Sequence, residues 1–183
     1  VEVHEETGVT NPELIFGHLL TSSNYDDNEE RITSGRNGLG IKLTNIFSKN
    51  FTIKLVDTIT SQSFEKTWKD GMRNSDKTKI RKASKAKGFT EVIWEPDFSR
   101  FGCENYSNDI LSLIYRTVYD AAMLTKVPMY INGKKVPVKT LTDYAKLFNA
   151  DVTKDIISMS SENCEVVITP SSGSNFEHIS FTN

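Results

Sequence analysis

The chain has 183 residues, of which 37% are hydrophobic and 25% are charged, and its formal net charge is −2. This length accommodates one domain and the start of another. With a net charge this close to zero, the chain as a whole is not a basic surface for binding nucleic acid. No apolar run approaches the length that crosses a bilayer, so no membrane partner is expected. Cys103 and Cys164 are widely spaced, which indicates free thiols with buried packing as their default role.

Hydrophobic periodicity predicts the elements of the first part of the chain. Helices are expected over residues 11–20 and 38–48, with a polar lid over 21–36 between them. Alternating apolar residues predict a strand over 51–57 and its hairpin partner over 62–68.

The lysine-rich stretch 77–87 has two interpretations. It is either a basic hairpin that contacts DNA phosphates or a solvated edge or linker that charge keeps soluble. The second interpretation is favoured because no aromatic side chains are interleaved for base stacking.

The rest of the chain continues the mixed pattern. A strand is expected over 90–94, and residues 109–123 predict a helix with a broad buried face. Asn132-Gly133 between two apolar runs is typical of a type I′ hairpin turn. The remaining predicted elements are a helix over 141–147 and strands over 152–158, 165–169 and 176–181. Strands in succession with helices among them indicate an α+β fold, with helices on one face of a mixed or antiparallel sheet.

The glycine-rich stretch 35–42 is the strongest candidate site. Glycine lets backbone N–H groups close on a ligand without steric strain. The predicted helix that follows presents unpaired N–H groups and the positive end of its dipole. These features favour an anion, and a polyphosphate is the expected one. Arg36 and Lys42 add positive charge, and the spacing differs from that of a Walker A loop.

A cluster of small polar residues, Thr21 to Asn24, precedes this loop. Their hydroxyl and amide groups suit hydrogen bonds to a ribose or to phosphate oxygens. Taken alone, the cluster is more often a helix terminus followed by a turn. Its proximity to the glycine-rich loop favours a shared nucleotide site.

Several long strings carry a family resemblance. IFGHLLTSSNYDD at 15–27 and GRNGLGIKLTNIFS at 35–48 closely resemble the ATPase region of eukaryotic-type DNA topoisomerase II, a family of the GHKL group of ATPases. The similarity continues through GFTEVIWEPD at 88–97 and NGKK at 132–135 to ISFTN at 179–183. It therefore spans nearly the whole chain in the family's order.

The resemblance implies a two-layer sandwich of the GHKL (Bergerat) type with a mixed or antiparallel sheet. It implies a partial ATPase domain over residues 1–140, followed by a linker and the start of a transducer domain over 141–183. The family's general base and its magnesium-binding asparagine are expected upstream of Val1. No catalytic residue or metal ligand is therefore assigned to this chain, which is expected to be inactive alone.

The resemblance also implies which residues bind ATP. They are Ser22, Ser23, Asn24, Gly35, Arg36, Asn37, Gly38, Leu39, Gly40, Ile41, Lys42 and Thr90. Leu39 and Ile41 stand where the family usually has an aromatic residue and an alanine. Both positions are expected to present mainly backbone to the nucleotide, so ATP binding is expected to survive these departures.

The function that the resemblance implies is that of a homodimeric enzyme using ATP and Mg²⁺. ATP binding and hydrolysis would be coupled to closure of a dimer gate and to passage of one DNA duplex through another. A nuclear location is expected, with a viral enzyme in the host cell as the alternative. A non-catalytic nucleotide-sensing or dimerisation module of a diverged GHKL protein remains the second class of function.

Overall fold

The computed structural model describes residues 1–22, 24–26, 28, 35–84, 86–148, 155–171, 173 and 175–181. These residues form two compact units, one over Val1–Glu104 and one from Asn105 onward. The predicted functional domains over 1–140 and 141–183 rest on the family resemblance and stay a prediction.

The first unit contains an antiparallel sheet, as the sequence predicts. Its strands are β1 (Ser48–Asp57), β2 (Gln62–Lys69), β3 (Asn74–Ser75), β4 (Lys79–Lys82) and β5 (Phe89–Pro96). β1 lies between β2 and β5, and β3 and β4 both pair with β2. The β1–β2 hairpin closes with Asp57 opposite Gln62. The predicted hairpin is therefore confirmed.

The core of the first unit follows from the alternation of apolar residues along β1 and β2. Phe51, Ile53, Phe64 and Trp68 are at most 5% exposed and pack together. Phe51 and Trp68 face each other across the two strands, with ring centroids 6.0 Å apart. Burial of these side chains supplies the main stabilisation of the sheet.

Two short helices contact this sheet, and both end earlier than predicted. The first, α1 (Asn11–Gly17), begins where the Thr10 hydroxyl accepts a hydrogen bond from the backbone N–H of Glu13. It ends because His18 is extended and Leu20 adopts a positive φ of 56°. A Cβ on Gly17 would lie 2.8 Å from Trp68 Cζ2, so the absent side chain lets the end of α1 approach the sheet closely.

The second helix, α2 (Gly40–Ile46), leads directly into β1. The Arg100 guanidinium donates a 2.5 Å hydrogen bond from Nη1 to the carbonyl oxygen of Ile46 and lies 4.1 Å from the centre of the Phe47 ring. Arg100 belongs to a 3₁₀ helix (Phe98–Phe101) that follows β5. This long-range contact satisfies the end of α2, and β1 begins at Ser48 instead of the predicted residue 51.

The lysine-rich stretch contributes an exposed strand, β4. Lys79 pairs with Glu65 across the sheet at 2.8 Å. The stretch therefore contains an exposed strand of the sheet, and the choice between a solvated edge and a DNA contact stays a prediction.

The second unit consists of a long helix and short elements near its C-terminal end. They are α3 (Asn108–Thr125), β6 (Tyr130–Ile131), β7 (Lys134–Lys135), α4 (Leu141–Ala145), β8 (Ile157–Ser160) and β9 (Glu165–Ile168). Asn132 and Gly133 have φ values of 50° and 76°, which confirms the predicted type I′ turn. No described helix combines the length and the apolar character needed to cross a membrane.

The core of the second unit is smaller than the sequence predicts. Ala122 and Met123 of α3 are buried together with Val136, Val138 and Tyr144. The apolar residues nearer the start of α3 remain exposed: Ile110 is 45%, Leu113 57% and Ile114 41% exposed. The expected broad buried face is therefore wrong for the described residues, because the buried cluster of this unit involves the C-terminal half of α3.

Two further expectations are corrected. The described residues 176–181 form no strand, so the predicted strand there is wrong. Phe181 instead packs edge-on against the Tyr144 ring, with centroids 5.5 Å apart. Cys103 and Cys164 are free thiols, as predicted, but both are exposed, because one follows the 3₁₀ helix and the other lies in the β8–β9 turn.

Candidate nucleotide site

Side-chain hydrogen bonds join the polar cluster after α1 to the glycine-rich loop. Asn24 donates from Nδ2 to the carbonyl oxygen of Gly35 at 2.6 Å. The Tyr25 hydroxyl donates to the carbonyl oxygen of Asn37 at 3.5 Å. The two segments that the sequence singles out are therefore neighbours in space.

Lys42 lies in the first turn of α2 and is only 2% exposed. Its ammonium donates to Thr21 Oγ1 at 2.8 Å and to the Thr21 carbonyl oxygen at 3.4 Å. It forms no ion pair with any residue that the structure describes. Desolvation by burial lowers the pKa of Lys42 below its usual value of 10.5. A buried cation with only neutral acceptors is short of a counter-charge, which an anion would supply.

The three glycines of the loop differ in what surrounds them. Gly38 has a φ of +59°, and an added Cβ would lie 2.5 Å from the carbonyl oxygen of Thr21. Glycine is therefore required at residue 38 by the backbone itself. Gly35 and Gly40 have no atom within 4 Å of an added Cβ. At these two positions the backbone is open to the approach of a ligand.

The other residues assigned from the resemblance occupy varied environments. Ser22 Oγ accepts a hydrogen bond of 3.1 Å from the backbone N–H of Asn24. Arg36 is exposed, and Leu39 is half-buried at the start of α2. Ile41 is half-buried and packs against the core of the first unit, and its presentation of backbone to a nucleotide stays a prediction. Ser23 lies outside the described residues.

Thr90 stands apart from the loop in the sheet topology. It is an exposed residue of β5 and lies opposite Leu55, toward the end of β1. α2 leads into the other end of β1, where Ser48 lies opposite Pro96. The hydrogen bonds that join the loop to the polar cluster do not involve Thr90, and its assignment to the nucleotide site stays a prediction.

Two residues in this network were not among the predicted site residues, Thr21 and Tyr25. Both belong to the string that carries the resemblance, and Thr21 begins the polar cluster. Their side chains contact Lys42 and Asn37, which follow the lid in sequence. The sequence shows that Thr21 and Tyr25 carry hydroxyl groups. Their partners depend on where the fold places the residues that follow the lid.

Comparison with known proteins gives a consistent result. No family model matches the chain. DNA topoisomerase 2 of Candida glabrata is 41% identical over 93% of this chain, and the match covers 12% of that relative. DNA topoisomerase 2 of Invertebrate iridescent virus 6 is 43% identical over 90% of this chain and is covered over 14% of its length. The chain thus spans a small part of the curated relatives it matches.

The fold agrees with the sequence comparison. The crystal structure of the ATPase region of Saccharomyces cerevisiae topoisomerase II aligns with a TM-score of 0.83 at 37% identity. The alignment covers 91% of this chain and 45% of that solved chain. The antiparallel sheet and its helices confirm the predicted α+β class. The chain is therefore homologous to part of the ATPase region of the DNA topoisomerase II family.

Proposed function

We propose that this chain supplies the phosphate-binding part of the ATP site in a type II DNA topoisomerase. The observation that carries the proposal is the buried ammonium of Lys42, which has neutral oxygens of Thr21 as its partners. A triphosphate would provide the missing negative charge.

Each segment of the site has a distinct role in this proposal. The loop 35–42 wraps the triphosphate, since Gly35 and Gly40 leave the backbone open to close approach. Lys42 and Arg36 neutralise phosphate charge. Ser22, Ser23 and Asn24 hold the ribose and the α/β-phosphate side, and Thr90 lies at the base of the adenine pocket. Mg²⁺ accompanies the triphosphate and offsets its charge, with no ligand assigned to this chain.

At the level of the whole protein, we propose a homodimeric enzyme whose gate closes when ATP binds and reopens on hydrolysis. DNA is the substrate, and one duplex passes through another. The relatives are named DNA topoisomerase 2, which favours the enzyme over a non-catalytic sensing module. Because they include fungal and viral proteins, a nuclear enzyme and a viral enzyme in the host cell both agree with this proposal.

Backbone-amide NMR of the chain during titration with ATP and Mg²⁺ tests the phosphate-binding role. The largest shifts are expected in the loop and at Lys42. Lys42→Ala should weaken binding by about tenfold or more, because a hydrogen bond to a charged group contributes about 1.5–3 kcal/mol. Lys49→Ala is the matched control, since Lys49 is exposed and lies beyond α2. Equal affinity of Lys42→Ala and wild type would overturn the proposal.

Gly40→Val tests the close approach of the backbone independently. A Cβ at this position meets nothing in the ligand-free chain, so the fold should be kept and the far-ultraviolet circular dichroism should stay near that of wild type. Nucleotide affinity should be lost, because the valine side chain occupies the space that the phosphates need. Gly173→Val, in a surface loop of the second unit, is the control. Unchanged affinity in Gly40→Val would place the phosphates elsewhere.

A further inference from the structure

Thr21 makes hydrogen bonds in two directions. Its Oγ1 lies 3.3 Å from the carbonyl oxygen of Leu14 and 3.2 Å from that of His18, at the end of α1. The same oxygen accepts a hydrogen bond of 2.8 Å from the Lys42 ammonium. The hydroxyl therefore connects the end of α1 to the buried lysine.

The direction of these bonds is fixed by the chemistry of the groups. Leu14 and His18 offer carbonyl oxygens, which only accept, so the single hydrogen of Thr21 is donated to one of them. The lone pairs of Oγ1 then remain for the ammonium, which only donates. The Thr21 carbonyl oxygen lies 3.4 Å from the same ammonium. Both oxygens of one residue thus hold a single cation.

Gly38 packs closely against Thr21, and this contact fixes the position of Thr21. An added Cβ on Gly38 would meet the Thr21 carbonyl oxygen at 2.5 Å and the Lys42 ammonium at 3.2 Å. The loop backbone, the Thr21 carbonyl and the ammonium therefore form one tightly packed group. A lysine side chain with a flexible four-carbon stem loses most of its rotamer freedom in such a group.

We propose that Thr21 is a positioning residue that holds the Lys42 ammonium at the loop before the nucleotide arrives. This inference rests on the proposed role of Lys42 in binding phosphate. The Lys42 ammonium has three N–H donors. Its contacts with Thr21 are to neutral oxygens, so the positive charge of the ammonium remains uncompensated until a phosphate binds. Because the side chain is already ordered, nucleotide binding does not have to order it, and affinity rises.

Thr21→Val removes the hydroxyl and keeps the shape of the side chain. We expect ATP affinity of the chain to fall by roughly threefold to tenfold, the effect of one hydrogen bond. Thr21→Ser keeps the hydroxyl and should stay within about twofold of wild type. Thr117→Val is the matched control, since Thr117 makes a similar hydroxyl–carbonyl bond to Leu113 in α3 of the second unit. Thr21→Ala serves in its place if the valine variant does not fold.

A double-mutant cycle separates positioning from a general structural role. In a Lys42→Met background, Thr21→Val should cause no further loss of affinity, because there is no ammonium left to position. An equal loss in both backgrounds would show a structural role and overturn the inference. Wild-type or tighter binding by Thr21→Val would also overturn it, the latter by showing that Thr21 competes with phosphate. If Lys42→Ala binds ATP as tightly as wild type, the proposed function is overturned, and the inference about Thr21 is overturned with it.

Discussion

The side-chain amide of Asn45 donates a hydrogen bond of 3.1 Å to the backbone carbonyl oxygen of Phe16. Asn45 belongs to α2 and is 1% exposed, whereas Phe16 lies in the last turn of α1. One partly buried hydrogen bond thus joins the helix that ends before the polar cluster to the helix that follows the glycine-rich loop. We expect this bond to help fix the relative placement of the two halves of the candidate site.

Asn45→Ala should lower the free energy of unfolding by about 1–3 kcal/mol, because the carbonyl oxygen of Phe16 loses the donor that the buried Asn45 side chain supplies. Urea unfolding followed by circular dichroism measures the change. Asn50→Ala is the control, since Asn50 is exposed and donates to Glu95 at 2.8 Å on the surface. We expect a change of no more than about 0.5 kcal/mol for this variant. Similar losses for the two variants would contradict the importance of the partly buried bond.

Gly17→Ala should destabilise the first unit because the new Cβ would lie 2.8 Å from Trp68 Cζ2, part of a rigid indole ring. Either the end of α1 or the indole must move, at a cost of about 1–3 kcal/mol. Denaturant unfolding measures the loss, and a shift in tryptophan fluorescence reports the displaced ring. Gly35→Ala is the matched control, since nothing lies within 4 Å of its added Cβ. A fully stable Gly17→Ala would refute the close contact.

Lys66→Met should be strongly destabilising because it removes the cation beside the Glu13 carboxylate and leaves this carboxylate only the hydrogen bond from the Thr78 hydroxyl. The ammonium and the carboxylate are 2.5 Å apart, with the two side chains 9% and 22% exposed. Loss of one member of such a pair costs about 3 kcal/mol, and the double variant Lys66→Met/Glu13→Gln should recover most of it. Urea unfolding of the single and double variants gives the coupling energy.

The exposed pair Lys69–Asp76 provides the control for this measurement. Its atoms are 2.8 Å apart, but its side chains are 44% and 50% exposed. Lys69→Met should change the free energy of unfolding by less than about 1 kcal/mol, because solvent screens the interaction. Equal effects at Lys66 and Lys69 would mean that burial does not distinguish the two pairs.

Tyr144→Phe should destabilise the second unit by about 1.5–3 kcal/mol, since the hydroxyl donates to a charged acceptor. Tyr144 donates to Asp120 Oδ1 at 2.5 Å. Burial first, and then the Asp120 carboxylate, raise the pKa of Tyr144 above 10.0. The folded chain therefore keeps the phenol proton to higher pH than the unfolded chain. This stabilisation is complete below pH 10.0 and is lost as the pH rises through the raised pKa.

Unfolding measured at neutral and alkaline pH tests both parts of this expectation. In wild type, the free energy of unfolding should fall at alkaline pH in part because Tyr144 ionises. Tyr144→Phe should lack this part of the fall. Tyr130→Phe is the control, because Tyr130 is 61% exposed. An unchanged alkaline profile in Tyr144→Phe would show that this phenol is not linked to folding.

Local patterns in the sequence predicted the elements whose causes are local. The alternation around Phe51 and Phe64 predicted the hairpin, and Asn132-Gly133 predicted its turn. Residues 35–42 stand out because glycines before a predicted helix, together with Arg36 and Lys42, suit an anion. The resemblance to a known family then supplied the nucleotide, which no composition or spacing specifies.

The features that the sequence did not predict depend on contacts between distant residues. β1 begins at Ser48 because Ser48 pairs with Pro96 of β5, which lies far along the chain. The periodicity of α3 predicts an apolar face but not which elements cover it, so the exposure of Leu113 could not be foreseen. The contact between Thr21 and Lys42 could not be predicted, because it forms only when the fold brings the two ends of the lid together.

The central position of β1 in its sheet imposes an order on assembly. A hairpin such as β1–β2 closes locally, on a timescale of about 1–10 μs. Pairing of β1 with β5 brings Val56 to Phe89 and Ser48 to Pro96, so a much longer segment must close at a greater entropic cost. We therefore expect the β1–β2 hairpin to form first and to serve as the template to which β5 is added. Until that step, one side of β1 has unpaired backbone groups, which makes the nascent chain most vulnerable to misassociation at this strand.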